Sequence, residues 1–380
     1  MAVLKDNPEK ATKAVPFTKQ LGFRRTLNQR VDDYFKNNNL SPRDVPEMYV
    51  KTIVLGILYV LGYAAFLYVG STGSAWVLAV AVVWGVIITG LGFNTMHDAI
   101  HGAYSNNPKV NRTIGLAIEL MGASGFVWKQ KHNVWHHTYT NVAGLDEDLE
   151  SNGAFRFSPQ DEWKPQYRWQ HIYAPFMYSL TSFSFVLRDL RVYFTGYSDK
   201  YHHYPPLPSK EKVIFWLGKL AFLLVNIVIP MLVMPWWLAL AGWVLTMMTI
   251  SLCLAAIFQL AHVMEPCTFP EPGGDPLRFE NEWAIHEVET TVDYAPQNKL
   301  LNWYCGGLNF QIEHHLFPLV CHVHYPEIAK IVKVTCDEFG VKHYTYPTWR
   351  AALMSHLSVL KTLGVKPSPA PVPSMPTVAK

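Results

Sequence analysis

Four apolar runs, Ile53 to Val69, Trp76 to Phe93, Val213 to Met234 and Trp236 to Phe258, restrict the shape of this chain more than any other feature. With flanking residues, each is about long enough to cross the roughly 30 Å hydrocarbon core of a bilayer as a helix. A soluble chain of 380 residues would usually split into two domains. Here the apolar residues are gathered into blocks, which favours membrane embedding instead. The first two runs are joined by Gly70-Ser71-Thr72-Gly73-Ser74 and the last two around Pro235. Links this short leave room only for hairpins. The expected fold is therefore an all-α integral membrane protein, with four transmembrane helices in two hairpins and a helical cap on the cytoplasmic side. Pro230 is tolerable inside a membrane helix, Lys219 can snorkel, and Trp236 and Trp237 suit an interfacial anchor.

The remaining segments organise around these runs. Residues 1–50 are polar and have no early apolar core, which excludes a cleavable signal peptide. Within them Phe23, Leu27, Val31 and Phe35 recur at helical spacing with Arg24, Arg25 and Arg30 between them. That pattern predicts an amphipathic helix, lying on the membrane surface or packed on the protein. Thr113 to Val127 and Ala174 to Val186 are too short to span and are expected to be re-entrant or interfacial. The membrane domain is expected over 51–365, followed by a Pro-rich disordered tail at 366–380. An even number of spans separates the N-terminus from every histidine cluster. The Lys and Arg residues lie on that side too and are missing from the far-side links, so the clusters and both termini are expected on the cytoplasmic face. The five cysteines form no CxxC pair, which argues against a disulfide framework and for a reducing face. Scattered basic residues without a stripe exclude a nucleic-acid partner.

Three histidine-dense clusters sit beside the apolar runs: His97-Asp98-Ala99-Ile100-His101, His132-Asn133-Val134-Trp135-His136-His137 and Gln311-Ile312-Glu313-His314-His315. Residues four apart on a helix share a face, so His97 and His101 stand one turn above each other. Gln311, His314 and His315 fall within about 100° of arc. His132, His136 and His137 fan out more widely, as suits a helix flanked by two metal centres. Imidazole binds iron, zinc, copper or nickel, so spacing alone leaves the metal open. The clusters lie at the ends of the runs rather than at their middles. A transporter would instead place polar ligands near mid-membrane.

These three boxes, with the spans between them, resemble the membrane fatty acid desaturase superfamily. The segments Asn94-Thr95-Met96-His97-Asp98, His136-His137-Thr138-Tyr139-Thr140-Asn141 and Phe258-Gln259-Leu260-Ala261-His262 carry the same resemblance. Gln311 at the head of the third box is similar to the front-end subgroup, which inserts a double bond on the carboxyl side of an existing one. The resemblance implies a cap carrying a histidine-rich dimetal site with two irons and O2 as co-substrate. It implies the ligands His97, His101, His132, His136, His137, His262, His314 and His315, with Gln311 a ligand or near neighbour. It further implies an acyl-lipid or acyl-CoA substrate and a cis double bond as product. Many front-end members carry a fused cytochrome b5 domain with a His-Pro-Gly-Gly signature. Here Pro272-Gly273-Gly274 follows Glu271, so a separate cytochrome b5 or a ferredoxin is the expected electron donor.

Ligating histidines usually donate their other N–H to a carboxylate or carbonyl. The candidates for that supporting role are Asp98, Asp148, Glu150, Glu265 and Glu313. Among the other histidines, His202 and His203 are expected on a loop surface and His286 close to the site as a further candidate ligand. His322 and His324 are expected to support the site or the fold, and His171, His343 and His356 to be structural or exposed. A diiron hydroxylase or ketolase is the nearest alternative, because it shares the first hydrogen abstraction. A non-enzymatic membrane metal protein, such as a transporter or zinc-dependent receptor, is the alternative of a different class.

Overall fold

The computed structural model describes residues 14–199 and 201–367. The expected Pro-rich tail lies largely outside the described residues. Four of the described helices are long and apolar enough to cross a membrane: Pro46–Ser71, Val77–His101, Ser209–Val233 and Trp236–His262. They contain the four apolar runs and continue past them. The second long helix carries on through His101 and the fourth through His262, so histidines stand on the same axes as the apolar segments.

The second and fourth long helices form the inner pair. Thr246 Oγ1 donates to the carbonyl of Ala81 (3.2 Å), and a Cβ added at Gly85 would lie 2.9 Å from the Thr249 side chain. Small residues are therefore what lets these two backbones approach. The first long helix flanks them, with Phe66, Val77, Ala81, Trp84 and Leu238 in one apolar cluster. Its outer side exposes Ile53 (62%), Val60 (63%) and Tyr68 (74%). A patch of that kind is an aggregation liability in water and is unremarkable against lipid tails.

Short helices complete the molecule. Pro108–Gly115, Ala117–Leu120 and Gly125–Lys129 occupy the stretch that is too short to span, and Gln170–Tyr178 and Thr181–Thr195 cover the second such stretch. The C-terminal third supplies Trp283–Thr290, Gln311–Leu316, Tyr325–Phe339 and Trp349–Leu363, plus one two-residue parallel ladder between Asp293-Tyr294 and Thr345-Tyr346.

The amphipathic helix forms, as Phe23–Asn37, with its apolar face turned to protein. Phe23, Leu27, Val31 and Phe35 are buried in one cluster with Ile328, Val332 and Cys336 of Tyr325–Phe339. The membrane-surface alternative is thereby corrected: the stripe covers a protein helix, leaving Arg24 and Arg25 outermost. His202 is a second correction. Far from lying on a loop surface, it is 3% exposed. Its Nδ1 lies 2.9 Å from Asp199 Oδ2 and its Nε2 3.1 Å from the Leu145 carbonyl. Its neighbour His203 is exposed.

The third box is docked by glycine. Gly306 has φ +59°, and a Cβ there would lie 2.6 Å from the Phe93 carbonyl oxygen, a backbone atom unable to move aside. Gly306→Val is therefore expected to cost at least the 1–3 kcal/mol typical of left-handed strain. It should also push the third box off the second long helix. Thermal unfolding in detergent and bound metal per chain should both fall.

Candidate metal centre

Helix ends bring the histidines together. His97 and His101 close the second long helix, which passes through a π-helical segment at Gly92–Met96 and stops at Gly102, φ +83°. His132 and His136 lie on a second π-helical segment, Gln130–His136, and His137 begins the turn after it. π-segments inside α-helices rotate the residues that follow and are frequent at functional sites. His262 is the last residue of the fourth long helix, and Gln311, His314 and His315 lie on one short helix. None of the eight imidazoles is more than 7% exposed.

Two lobes result. The ligand-capable nitrogens of His97, His101, His132 and His314 lie within 4.8 Å of one another, and so do those of His136, His262 and His315. His137 approaches both, grouping with His314 and His315. Consecutive residues on a helix point about 100° apart, so His314 and His315 serve different lobes from one short helix. The second box also contributes to both lobes, His132 to the first and His136 to the second, one helical turn apart.

The rings meet nitrogen to nitrogen. His132 Nε2 lies 3.3 Å from both His97 Nε2 and His137 Nε2. His101 Nε2, His314 Nε2 and His315 Nε2 are buried without a hydrogen-bond partner. Buried polar atoms are nearly always satisfied in native proteins. Neutral imidazole is a metal donor, so this donor set fits a metal site. Gln311 Nε2 stands 3.1 Å from His262 Nε2 while its Oε1 is unpartnered. Turning the amide over exchanges a donor for an oxygen donor atom at the second lobe.

Carboxylates hold the rings from behind. His315 Nδ1 lies 2.7 Å from Glu287 Oε2, and His136 Nδ1 lies 3.1 Å from both oxygens of Asp146. Where the carboxylate is ionised it only accepts, which puts the ring proton on Nδ1 and leaves the Nε2 lone pair available. Burial raises the Glu287 pKa, and a cation at the cluster would favour its ionised form. Burial alone would disfavour a charged His136 ring, but Asp146 and Asp148 outweigh it and raise its pKa. Asn141, at φ +60°, ties this segment to the fourth long helix by donating from Nδ2 to the His262 carbonyl (2.8 Å).

The five carboxylates expected to support the site behave differently. Asp98 Oδ2 lies 2.9 Å from His322 Nδ1 and Asp98 Oδ1 3.7 Å from His97 Nδ1. Asp148 pairs with Lys131 and reaches to 3.4 Å from His136. Glu150 lines the cavity beside the cluster. Glu265 is exposed, so its expected support is corrected: only its backbone is tied, by N–H donation to Ser355. Glu313 is buried but faces Asp293. Burial and then the Asp293 charge raise its pKa.

His286 packs its ring against Phe17 and Phe279, and burial pushes its pKa down to about 3. His322 supports Asp98, and His324 is held by the Ser41 carbonyl. Asp146 and Glu287 were not singled out by sequence reasoning. Asp146 stands two residues before the candidate Asp148, and Glu287 directly after His286.

The cluster forms one wall of a cavity of about 550 Å³. Trp128, His132, His136 and His262 line it near the rings, and Phe155, Met177, Phe185, Leu254 and Phe258 line its apolar part.

Comparison with known proteins gives the family. The profile of the fatty acid desaturase family matches residues 74–347. The chain is 39% identical to an sn-1 linoleoyl-lipid 6-desaturase of Synechocystis sp., over 92% of this chain and 98% of the relative. It is equally close to one from Arthrospira platensis, over 94% and 96%. It is 36% identical to an acyl-lipid (8-3)-desaturase of Physcomitrium patens, over 95% of this chain and 75% of the relative. The chain belongs to the fatty acid desaturase family. It is a membrane oxidoreductase that introduces a double bond into a fatty acyl chain, and the hydroxylase, ketolase and non-enzymatic alternatives are not favoured.

Glu287→Gln and Asp146→Asn should each weaken metal binding about 10–100-fold, the usual effect of removing such a support, as read by metal titration of the apoprotein. Acid should act on the apoprotein too. Burial lowers the pKa of His132, His137, His314 and His315 well below 6.5. Below pH 6.5 the unfolded chain therefore takes up protons that the folded chain refuses. Stability then falls as pH drops, by up to about 1.4 kcal/mol per pH unit for each ring. Chelator-treated protein should melt at a lower temperature at pH 5.5 than at pH 7.5.

Proposed function

We propose that this chain is an oxygen-dependent front-end acyl-lipid desaturase with two irons in the two lobes. It would place a cis double bond between the carboxyl end and an existing double bond of a linoleoyl-type chain. The observation that carries this reading is the meeting of the three boxes and His262 in one buried, two-lobed centre beside a cavity with an apolar part. The names of the two relatives at 39% identity support the substrate and the position.

His97, His101, His132 and His314 would hold one iron, and His136, His262 and His315 the other, with His137 between them and Gln311 at the second lobe. The irons, when bound, supply the oxidising power that side-chain acid–base chemistry lacks for an unactivated methylene. The chain's own residues do the rest. Asp146 and Glu287 keep the ring protons of His136 and His315 on Nδ1. Trp128, whose ring centroid is 4.3 Å from that of His132, and Phe258 wall the cavity beside the rings, excluding water and holding one C–C bond against the centre. Because one methylene is worth only about 1–3 kcal/mol in an apolar pocket, chain length alone measures position poorly. Electrons would come from a separate cytochrome b5 or ferredoxin.

The topology follows the same reading. Residues 51–365 form the desaturase domain, with two hairpins placing every box and both termini on the cytoplasmic face. The absence of Lys and Arg from the sequence between Gly70 and Trp76 and around Pro235 supports that orientation.

A host expressing the chain with a matching reductase system and fed linoleate should accumulate a fatty acid with one more double bond on the carboxyl side, read by gas chromatography–mass spectrometry. A hydroxylated product instead would move the reaction class. His262→Ala should abolish the product and remove metal from the second lobe. Anomalous density at the iron edge out of reach of Gln311 would exclude that side chain as a ligand.

A further inference from the structure

Desaturation counted from the carboxyl end places the acyl carbonyl only a few bonds from the reacting carbons. A group that recognises this carbonyl must then share the cavity with the metal-centre histidines. Three cationic side chains line that cavity: Lys131, Arg188 and Arg191. Lys131 is committed to Asp148, and Arg191 is exposed. Arg188, on Thr181–Thr195, is different.

Its side chain is only 13% exposed, and its Nε and Nη2 are buried with no hydrogen-bond partner among the described residues. Its carboxylate neighbours are close enough to balance charge but too far to hydrogen-bond. Nη1 lies 3.8 Å from Glu147 Oε1, and Nη2 lies 3.7 Å from Asp189 Oδ1. The far oxygen of each carboxylate is engaged: Asp189 Oδ2 accepts from Lys219 Nζ and the Ser124 N–H, and Glu147 Oε2 accepts from Tyr204. Asp189 Oδ1, which faces the guanidinium, is buried without a hydrogen-bond partner and balances its charge across 3.7 Å. Phe185 lies beside the guanidinium, 4.8 Å from ring centroid to Cζ. The guanidinium is thus held, charge-compensated and short of acceptors. A planar fork in that state suits a neutral oxygen better than another anion, because the negative charge is already supplied.

We infer that Arg188 binds the carbonyl oxygen of the acyl ester or thioester and so sets the distance from the carboxyl end to the carbons presented to the metal centre. The inference rests on the carboxyl-side reading above. Arg188 is a positioning residue: it fixes where the chain stops, while the apolar part of the cavity receives the methyl-terminal remainder.

The test uses the full-length, iron-loaded enzyme with its electron donor and the same acyl chain in three forms: a glycerolipid ester, a thioester, and a glycerolipid ether lacking the carbonyl. Arg188→Leu and the charge-retaining Arg188→Lys are compared with the unaltered protein at matched metal content and monodispersity. With the carrier that the enzyme uses, Arg188→Leu should lower kcat/KM on the order of ten- to a hundredfold, the range for a lost hydrogen bond to a charged group. It should also spread the double bond over neighbouring positions. Arg188→Lys should keep part of the rate and lose positional fidelity. On the ether, the unaltered enzyme should already show that loss, and Arg188→Leu should add nothing to it. Whichever of ester and thioester responds identifies the carrier.

Equal losses on ester and ether would assign Arg188 to the scaffold and overturn the inference, as would unchanged product positions in both variants. If the unaltered enzyme desaturates away from the carboxyl side, the carboxyl-side reading itself fails, whatever the variants do.

Discussion

The rest of the structure depends on burying eight imidazoles in one cluster. A charged ring is expensive away from water, and an unpartnered neutral ring still forfeits a hydrogen bond. The cluster is therefore unfavourable by itself. It is held by what surrounds it: two long helices that end in it, a short helix pinned by Gly306, and carboxylates that take up the outward ring protons. A metal ion would relieve the remaining nitrogens, coupling folding to metal binding as in other proteins whose ligands lack alternative partners.

This burden explains the division of labour between apolar and polar parts. The long helices need lipid-compatible surfaces along most of their length and polar chemistry at one end only. Small residues at Ala81, Gly85 and Thr246 let the inner pair approach closely, which brings His97 and His262 into one centre. The same arrangement leaves a cavity between the fourth long helix and Thr181–Thr195, apolar on part of its wall and lined by Arg188 on another part.

Much of this was legible in the sequence, but unevenly. The long helices were visible because length and continuous apolarity are local properties. The boxes were visible because i, i+3 and i, i+4 spacings of a metal-ligating residue seldom accumulate by chance. Burial was harder to read. Phe23, Leu27, Val31 and Phe35 have a helical period whether lipid or the helix Tyr325–Phe339 covers them, and only the fold decides. His202 looked like a loop residue because its support, Asp199 and the Leu145 carbonyl, comes partly from a distant segment. Proximity in sequence misled for Glu265, whose side chain leaves the centre although it follows His262 by three residues. It was silent about Glu287, which reaches His315 across 28 positions.

What the sequence determined by itself was the inventory: four apolar runs of spanning length, three histidine boxes outside them and an extra histidine after the last run. These are short-range patterns, set by the period of a helix and the thickness of a bilayer. Only the tertiary structure decided how the histidines divide into two lobes, which carboxylates hold their second nitrogens and which arginine is left short of acceptors. Each of these depends on which helix ends meet and at what rotation, and that is settled by packing between segments far apart in the chain.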